Sequence, residues 1–316
     1  METLYITHMH CTIRREGEHL KLTLRGETLD TVPLIGVKTI IVMDRVNLTA
    51  PALSLLLNKG IDVFYMSKWG KIRGRVLSNN GGGAILRLAQ YSAYLDSDKR
   101  LDIAKSIVSA KINNQISVIK KYKYHDTTSV YDGHLSKMSG YAGSLSGANT
   151  INEAMGIEGV SAKNYWECFK RMLKNPVFIR REYRPSPDYV NALLNLGYAF
   201  LANELTTCLT IKRFDLEVGF LHSVHYGRSS LALDIMEEFR APFIDSWVLG
   251  MLNKNQFKDE NFHVVDGDYR LSDEGFHKFC TLYHERVIPW RERFREQVGR
   301  LKNAVLKGEH YESYRE

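Results

Sequence analysis

The sequence has few cysteines and no long apolar run. Its 316 residues include four cysteines, Cys11, Cys168, Cys208 and Cys280, and no two of them form a CxxC pair. This spacing argues against a zinc ribbon and against a disulfide framework. No stretch reaches the roughly 18 apolar residues of a membrane span, and the first twenty residues lack an apolar stretch of signal-peptide length. We therefore expect a cytoplasmic protein with reduced thiols and no membrane contact.

The sequence also has no internal repeat, no low-complexity tract and no extreme charge. Its 43 Lys and Arg residues exceed its 36 Asp and Glu residues by seven. This excess favours a polyanionic partner without establishing one. With 44% apolar and 25% charged residues, the chain has the composition of a folded globular protein, so disorder as the dominant state is excluded.

The first 78 residues carry the pattern of β-strands. Apolar residues alternate with polar ones through residues 4–6, 12–13 and 20–24, with a turn at Glu16-Gly17-Glu18. Runs rich in β-branched and aromatic residues follow at 39–43, 61–66 and 72–76. One short helix, with Pro51 in its first turn, is predicted between them. Residues 1–78 are therefore predicted to form a small, mostly-β, sandwich-like domain.

After residue 78 the apolar period changes from that of strands to that of helices. The run Ser78-Asn79-Asn80-Gly81-Gly82-Gly83 opens a predicted linker over 79–90, because consecutive glycines weaken both strands and helices. Residues 91–316 are predicted to form a larger, all-α domain, with a mobile loop near 124–146 where the periodicity fails. Strands first and helices afterwards predict an α+β fold with segregated parts.

One helical segment carries three acids among apolar residues. Asp234 lies three and four positions before Glu237 and Glu238, in the block GFLHSVHYGRSSLALDIMEEFR. This spacing predicts that the three carboxylates share one face, where a divalent cation would relieve their repulsion. The alternative is that these acids form ion pairs with Arg228, Arg240 or other arginines.

Other residues could complete a metal site with the acids. His222 precedes the acidic helix and suits a mixed oxygen and nitrogen site for Mg²⁺ or Mn²⁺, although His225 competes with it. Glu158, between two glycines, offers a further acid. A basic and aromatic segment at 178–189 suits phosphate contact and base stacking. The candidate phosphate contacts are Lys120, Lys121, Lys123, Arg180, Arg181, Arg184, Arg228 and Arg240.

Four motifs in one order resemble those of a known family. They are GIEG around Glu158, RPSPDYVNALLNLGYAFL, GFLHSVHYGRSSLALDIMEEFRAP and the closing YHERVIPWRERFREQVGRLKNAVLKGEHYESYR. Together they resemble the CRISPR-associated spacer-acquisition integrases, the universal first member of the Cas series. The resemblance covers nearly the whole chain, including GIDVFYMSKWGKIRGRV in the predicted β domain.

The resemblance implies a metal-dependent enzyme that nicks DNA and joins the 3′ hydroxyl ends of protospacer DNA into a CRISPR array. It implies that Glu158, His222 and Glu237 hold Mg²⁺ or Mn²⁺, with Asp234 as a supporting acid. Whether Asp234 or Glu237 is the closer ligand is left open. It also implies a homodimer formed through the β domain and a heterohexamer with a small ferredoxin-like adaptation protein on double-stranded DNA. The alternative function is a non-catalytic, helical DNA-binding scaffold.

Overall fold

The computed structural model describes residues 3–6, 8, 10–43, 45–67, 72–78, 83–124, 129–174 and 177–316. The chain divides into two compact units, residues 1–84 and 85–316. Strands dominate the first unit and helices the second, which confirms the predicted α+β class. The predicted domain bounds, 1–78 and 91–316, remain predictions. Among the described residues no helix is long and apolar enough to cross a bilayer, and the cytoplasmic location stays a prediction.

The amino-terminal unit contains two four-stranded sheets within its described residues. Along the chain its elements are β1 (Thr3–Ile6), β2 (Thr12–Glu16), β3 (His19–Leu24), β4 (Glu27–Pro33), β5 (Thr39–Met43), β6 (Asn47–Leu48), α1 (Ala50–Asn58), β7 (Asp62–Met66) and β8 (Ile72–Val76). One sheet has the order β1-β5-β7-β8, in which β1, β5 and β7 are parallel. The other has the order β4-β3-β2-β6. The predicted hairpin is confirmed as β2–β3, which pairs Glu16 with His19 across the turn.

The two sheets share one apolar core. Ile13 and Leu20 come from one sheet, Ile40 and Val63 from the other, and Leu56 from α1. Strand β5 is buried along almost its whole length, as expected for a strand flanked by parallel neighbours and covered on both faces. The sandwich-like character predicted from the alternating pattern is therefore present in this unit.

The second unit is built on a central helix, α3, which packs against α4, α5 and α7. The carboxylate of Asp96 caps the start of α3 by accepting the backbone N–H groups of Asp98 and Lys99. Thr150 caps α5 in the same way. The helices are α2 (Gly83–Leu95), α3 (Ser97–Lys123), α4 (Asp132–Ser144), α5 (Ile151–Met172), α6 (Tyr189–Ile211), α7 (Ser230–Phe239), α8 (Ser246–Asn253), α9 (Asp273–Val287) and α10 (Arg291–Lys307).

The predicted linker over 79–90 is wrong in its second half. Residues 79–82 lie outside the described residues, but residues 83–90 form the first part of α2. One physical reason is that no glycine follows Gly83 within this helix. Another is that Leu86 and Gln90, four residues apart and so on one face of the helix, are both buried. Local apolar period here outweighs the effect of the preceding glycines.

The predicted mobile loop at 124–146 is also wrong over most of its length. Residues 125–128 lie outside the described residues, but 132–144 form α4. This helix is mostly polar and contains glycines, so its sequence shows little apolar period. It packs against α3 and α5, and Met138 and Leu145 are the buried contacts that anchor it. Tertiary packing thus stabilises a helix that propensity alone disfavours.

A two-stranded hairpin lies between α8 and α9, within residues 91–316, which the sequence predicted to be all-α. Strand β9 (Phe262–Val265) pairs antiparallel with β10 (Asp268–Leu271). Asp266 and Gly267, at the turn, have φ values of 52° and 77°. An Asp-Gly pair between apolar residues is a strong hairpin signal, because both positions of this turn require positive φ.

Helix α7 continues into a π-helical segment, Arg240–Asp245, which leads to α8. The buried carboxylate of Asp245 accepts a hydrogen bond from the Tyr165 hydroxyl at 2.9 Å and another from the Tyr198 hydroxyl. These contacts tie α5 and α6 to the end of the π-helical segment, just before α8. One buried carboxylate therefore fixes the segment that follows the acidic helix against two other helices.

We expect Asp245→Asn to change how stability depends on pH. Burial raises the pKa of Asp245 to about 6, against the opposing effect of the tyrosine hydrogen bonds. The folded state thus binds this proton more tightly than the unfolded state, whose aspartate has a pKa of about 3.9. The contribution of the protonated Asp245 to the free energy of unfolding is complete below about pH 4. It is lost as the pH rises through 6, and the full change is about 3 kcal/mol.

Urea denaturation at pH 4 and pH 7 measures this effect. The free energy of unfolding of Asp245→Asn, relative to wild type, should increase by about 2 kcal/mol between the two pH values, because an unfolded-state aspartate is already half ionised at pH 4. The exposed Asp259→Asn variant is the matched control and should show no such change. A relative stability of Asp245→Asn that is the same at both pH values would contradict the assignment.

Candidate active site

Helix α7 buries three carboxylates, which leave it in different directions. Asp234 and Glu238 are fully buried and Glu237 is 5% exposed. The prediction that all three converge on one cation is wrong. Their spacing places them within about 100° of one another around the helix, but neighbouring groups, and not a shared cation, satisfy each one. Each carboxylate instead contacts a different segment of the chain.

The carboxylate of Asp234 organises the loop that precedes α7. It accepts backbone N–H groups from Phe220, from Leu221 at 3.0 Å and from His222 at 2.9 Å. It also lies 2.7 Å from Nδ1 of the His222 ring. With Nδ1–H donating to Asp234, the ring presents Nε2 as its free acceptor. Asp234 therefore acts on the site through the orientation of His222.

The close approach of this loop to α7 requires glycine at position 219. A β-carbon built on Gly219 would lie 2.7 Å from Oδ2 of Asp234 and 2.9 Å from the carbonyl carbon of Ser230. Neither atom belongs to the end of a flexible side chain. Any larger residue would push the loop away from Asp234 and move His222 with it.

Glu158 and Glu237 meet at the ammonium group of one lysine. Nζ of Lys111, on α3, contacts Oε1 of Glu158 and lies 2.6 Å from Oε2 of Glu237. Arg240 contacts the other oxygen of Glu237 at 3.0 Å. Helices α3, α5 and α7 thus bring two carboxylates and two cations into one partly buried cluster, which we call the Lys111 cluster.

The charges in this cluster stabilise one another. Burial would raise the pKa of Glu237, but Arg240 and Lys111, with a smaller effect of His222, lower it to about 2. Burial would lower the pKa of Lys111, but the Glu237 and Glu158 carboxylates outweigh it and raise that pKa. Glu237 is therefore ionised and Lys111 is charged at neutral pH.

The two candidate histidines occupy different environments. His222 is held by Asp234 and influences the charge of Glu237. His225 is exposed, and its Nδ1 lies 3.2 Å from the carbonyl oxygen of Tyr226. Of the two, His222 is therefore the one that a buried acid of α7 holds in place.

Glu238 belongs to a different part of the fold. Its carboxylate accepts the Tyr311 hydroxyl and the backbone N–H of Tyr314, both at 2.7 Å. Burial raises its pKa to about 8, against the lowering effect of these hydrogen bonds. Glu238 thus fixes the carboxyl-terminal segment and contributes no oxygen to the Lys111 cluster.

The arginines predicted to contact DNA divide into exposed and internal ones. Arg180 and Arg184 are exposed. The guanidinium of Arg181 donates to Asn191 and lies 5.3 Å from the centre of the Tyr198 ring. Arg228 donates to Ser230 and to the Ser223 carbonyl, and Arg240 pairs with Glu237. Arg180 also pairs with Glu182 at 2.7 Å, and the Arg184 guanidinium lies 5.5 Å from the centre of the Tyr183 ring, so all five have contacts within the fold and differ in exposure.

The ligands implied by the family resemblance are partly assembled. Among the described residues no three His, Cys, Asp or Glu side chains are close enough to form a metal site as they stand. Of the three implied ligands, Glu158, His222 and Glu237, the two carboxylates already share one cation, the Lys111 ammonium. Two carboxylates and an imidazole are also the donor types that suit Mg²⁺ or Mn²⁺. The residues therefore fit such an ion in their chemistry, provided that Lys111 withdraws.

Comparison with known proteins identifies the family. The model of the family described as CRISPR associated protein Cas1 matches residues 4–285. The chain belongs to the Cas1 family. The CRISPR-associated endonuclease Cas1 3 of Thermus thermophilus is 31% identical over 287 residues, which cover 90% of this chain and 84% of that protein. The CRISPR-associated endonuclease Cas1 1 of the same organism is 28% identical and covers 96% of both chains.

Solved Cas1 structures share the fold. A CAS1 protein from Thermotoga maritima superposes with a TM-score of 0.71 at 24% identity, over 100% of both chains. A casposase bound to its integration product gives a TM-score of 0.77 at 22% identity, over 98% of this chain and 96% of that one. Both parts of the Cas1 chain, strand-rich and helical, are thus found here in the same order.

Sequence reasoning missed Lys111, which holds the cluster together. The signal was present, since Lys111 lies three and four residues after the buried Val108 and Ile107 and directly before the buried Ile112. A lysine on the apolar face of a helix is seldom buried without a partner. The position alone predicts a buried acid opposite it, but not which one.

We expect Gly219→Ala to destabilise the protein, because the added carbon overlaps Asp234 and the α7 backbone. Overpacking of this kind costs about 1–3 kcal/mol. Gly156→Ala, on α5, is the matched control, since a β-carbon there meets nothing within 4 Å, and it should stabilise the helix slightly. Urea denaturation compares the two variants, and equal effects would show that the loop does not depend on Gly219.

Proposed function

We propose that this Cas1 protein is a metal-dependent DNA endonuclease and integrase that inserts protospacer DNA into a CRISPR array. The observation that carries the proposal is the meeting of Glu158 and Glu237 around one positive charge, beside a histidine held by Asp234. Three segments distant in the sequence supply these groups. The curated relatives of this family member are named endonucleases, and a solved structural neighbour is a casposase on its integration product.

We assign Glu158, His222 and Glu237 as the ligands of Mg²⁺ or Mn²⁺. A divalent ion at this position would neutralise charge on the scissile phosphate and activate the attacking oxygen. The contribution of Asp234 is to hold Nδ1–H of His222, which leaves Nε2 as the nitrogen available to a metal. Among the alternatives left open by the sequence, this geometry favours Glu237 as the closer ligand, because both oxygens of Asp234 already accept hydrogen bonds from the loop.

DNA has a route to this site along the helical unit. A cleft of about 660 Å³ opens beside His222 and is lined in part by Arg100, Arg228 and Tyr94. Arg180 and Arg184 remain available as phosphate contacts, since their side chains are exposed. Such contacts would follow the backbone and duplex shape more than base sequence. A solved complex of a related Cas1 with DNA shares this fold.

The proposed assembly is a homodimer that joins a small ferredoxin-like adaptation protein in a heterohexamer on double-stranded DNA with 3′ ends. Its support is indirect. A structural neighbour with a TM-score of 0.82 comes from a partial Cas6-RT-Cas1–Cas2 complex. Several copies would add their positive charge along one duplex, which strengthens binding to phosphates.

The second candidate function is a non-catalytic DNA-binding scaffold. It is favoured by the ion pairs of Glu237 with Arg240 and Lys111, since these acids already have partners without any metal. It predicts that substitution of the acids changes stability but no enzymatic step. The two functions therefore differ in what the same variants do to DNA.

Strand joining and nicking of DNA with Mn²⁺ test the proposal. Glu158→Gln, His222→Ala and Glu237→Gln should each reduce both activities by more than the 10- to 100-fold typical of losing a group that only orients a ligand. Asp234→Asn should fall within about that 10- to 100-fold range. The exposed His225→Ala is the matched control and should keep wild-type activity. Full activity in Glu158→Gln and His222→Ala would show that the site assignment is wrong, whereas DNA binding by wild type without joining or nicking would favour the scaffold.

A further inference from the structure

Lys111 occupies the point shared by the two carboxylates of the candidate metal site. Its ammonium contacts one oxygen of Glu158 and one oxygen of Glu237. Arg240, in contrast, contacts only Oε1 of Glu237, the oxygen that Lys111 leaves. Of the two cations in the cluster, Lys111 alone bridges the pair.

We propose that Lys111 is a positioning residue that holds Glu158 and Glu237 together in the metal-free protein and is displaced from between them when a divalent cation binds. This inference rests on the proposed function, since it assumes that these two carboxylates are metal ligands.

The charges of the cluster require a cation between the two carboxylates when no metal is bound. Without a cation, two carboxylates brought together from α5 and α7 would repel each other, and the buried one, Glu237, would bear most of the cost. Lys111 and Arg240 bring the net charge of the four groups to zero. A preassembled pair then awaits the metal, and no rearrangement of α5 or α7 is needed to form it.

The contact of Lys111 with Glu237 is suited to exchange. Oε2 of Glu237 is buried and lies 2.6 Å from Nζ of Lys111. A metal ion at the same point would replace both the positive charge and the contact that Oε2 loses when the ammonium leaves, so the buried oxygen keeps a partner.

Lys111 is also the cation that can move. Its side chain is 13% exposed, and a flexible four-carbon stem carries its compact charge. Arg240 directly follows α7, which carries Glu237, and its guanidinium lies 4.6 Å from the centre of the Tyr198 ring. Displacement of Lys111 therefore leaves Arg240 in place. The displaced Lys111 ammonium would remain close to the metal site, where the proposed function places the scissile phosphate of DNA.

Mn²⁺ binding to the full chain tests the proposal, with free Mn²⁺ followed by electron paramagnetic resonance at constant pH. Lys111→Met and Lys111→Gln remove the competing charge, and Lys111→Arg retains it. We expect the two neutral variants to melt at lower temperature than wild type in EDTA and to bind Mn²⁺ at least about tenfold more tightly, which corresponds to roughly 1.4 kcal/mol. Lys111→Arg should bind Mn²⁺ no more tightly than wild type.

The outcomes separate this inference from the proposed function. If wild type binds Mn²⁺ and the neutral variants bind it with equal or lower affinity, Lys111 does not compete with the metal and the inference is overturned. If wild type binds no Mn²⁺, the metal site of the proposed function fails and the inference falls with it. Should the neutral variants unfold in EDTA, Mn²⁺ must restore their folded circular dichroism spectrum, and a failure to do so also overturns the inference.

Discussion

The burial of three carboxylates on α7 is the constraint that organises the helical unit. A carboxyl group removed from water, whether ionised or protonated as the raised pKa of Glu238 implies, costs free energy unless other groups pair with it or donate hydrogen bonds to it. Asp234 obtains its partners from the preceding loop, Glu237 from α3 and from Arg240, and Glu238 from the carboxyl-terminal segment. Each acid thus fixes a different part of the chain against the same helix.

The same constraint produces the candidate site. Because Asp234 uses both oxygens to fold the loop, His222 is held through its backbone N–H and Nδ1, and its other ring nitrogen is left for a ligand. Because Glu237 needs a cation, α3 supplies Lys111, which also reaches Glu158 on α5. The groups that could carry out metal-dependent chemistry are therefore the groups that satisfy buried charge when no metal is bound. Stability of the fold and preorganisation of the site have one physical origin.

Much of this could be predicted from the sequence. The change from a two-residue to a helical apolar period is visible near residue 80, so the α+β class followed from pattern alone. His222, Asp234 and Glu237 lie within sixteen residues of each other and were recognised as a group. Glu158 stood out as an acid on an otherwise apolar stretch, although its place beside Glu237 depends on the packing of α5 against α3 and could not be read from spacing.

What the sequence did not predict depends on tertiary contacts. Each carboxylate on α7 points to the neighbouring segment that supplies its hydrogen bonds or its cation. The expectation that Asp234, Glu237 and Glu238 share one cation was therefore wrong. Helix α4 forms through packing around Met138, where local propensity favours a loop. Lys111 looked like one lysine among many, because its partners lie 47 and 126 residues away in the chain.

Anomalous diffraction at the manganese edge, from crystals of the full chain grown with Mn²⁺, tests the central claim most directly. The account predicts one ion between α5 and α7, with an oxygen of Glu158, an oxygen of Glu237 and Nε2 of His222 each about 2.0–2.2 Å from it, and with the Lys111 ammonium withdrawn. An ion bound elsewhere, or Lys111 still bridging both carboxylates at saturating Mn²⁺, would contradict it.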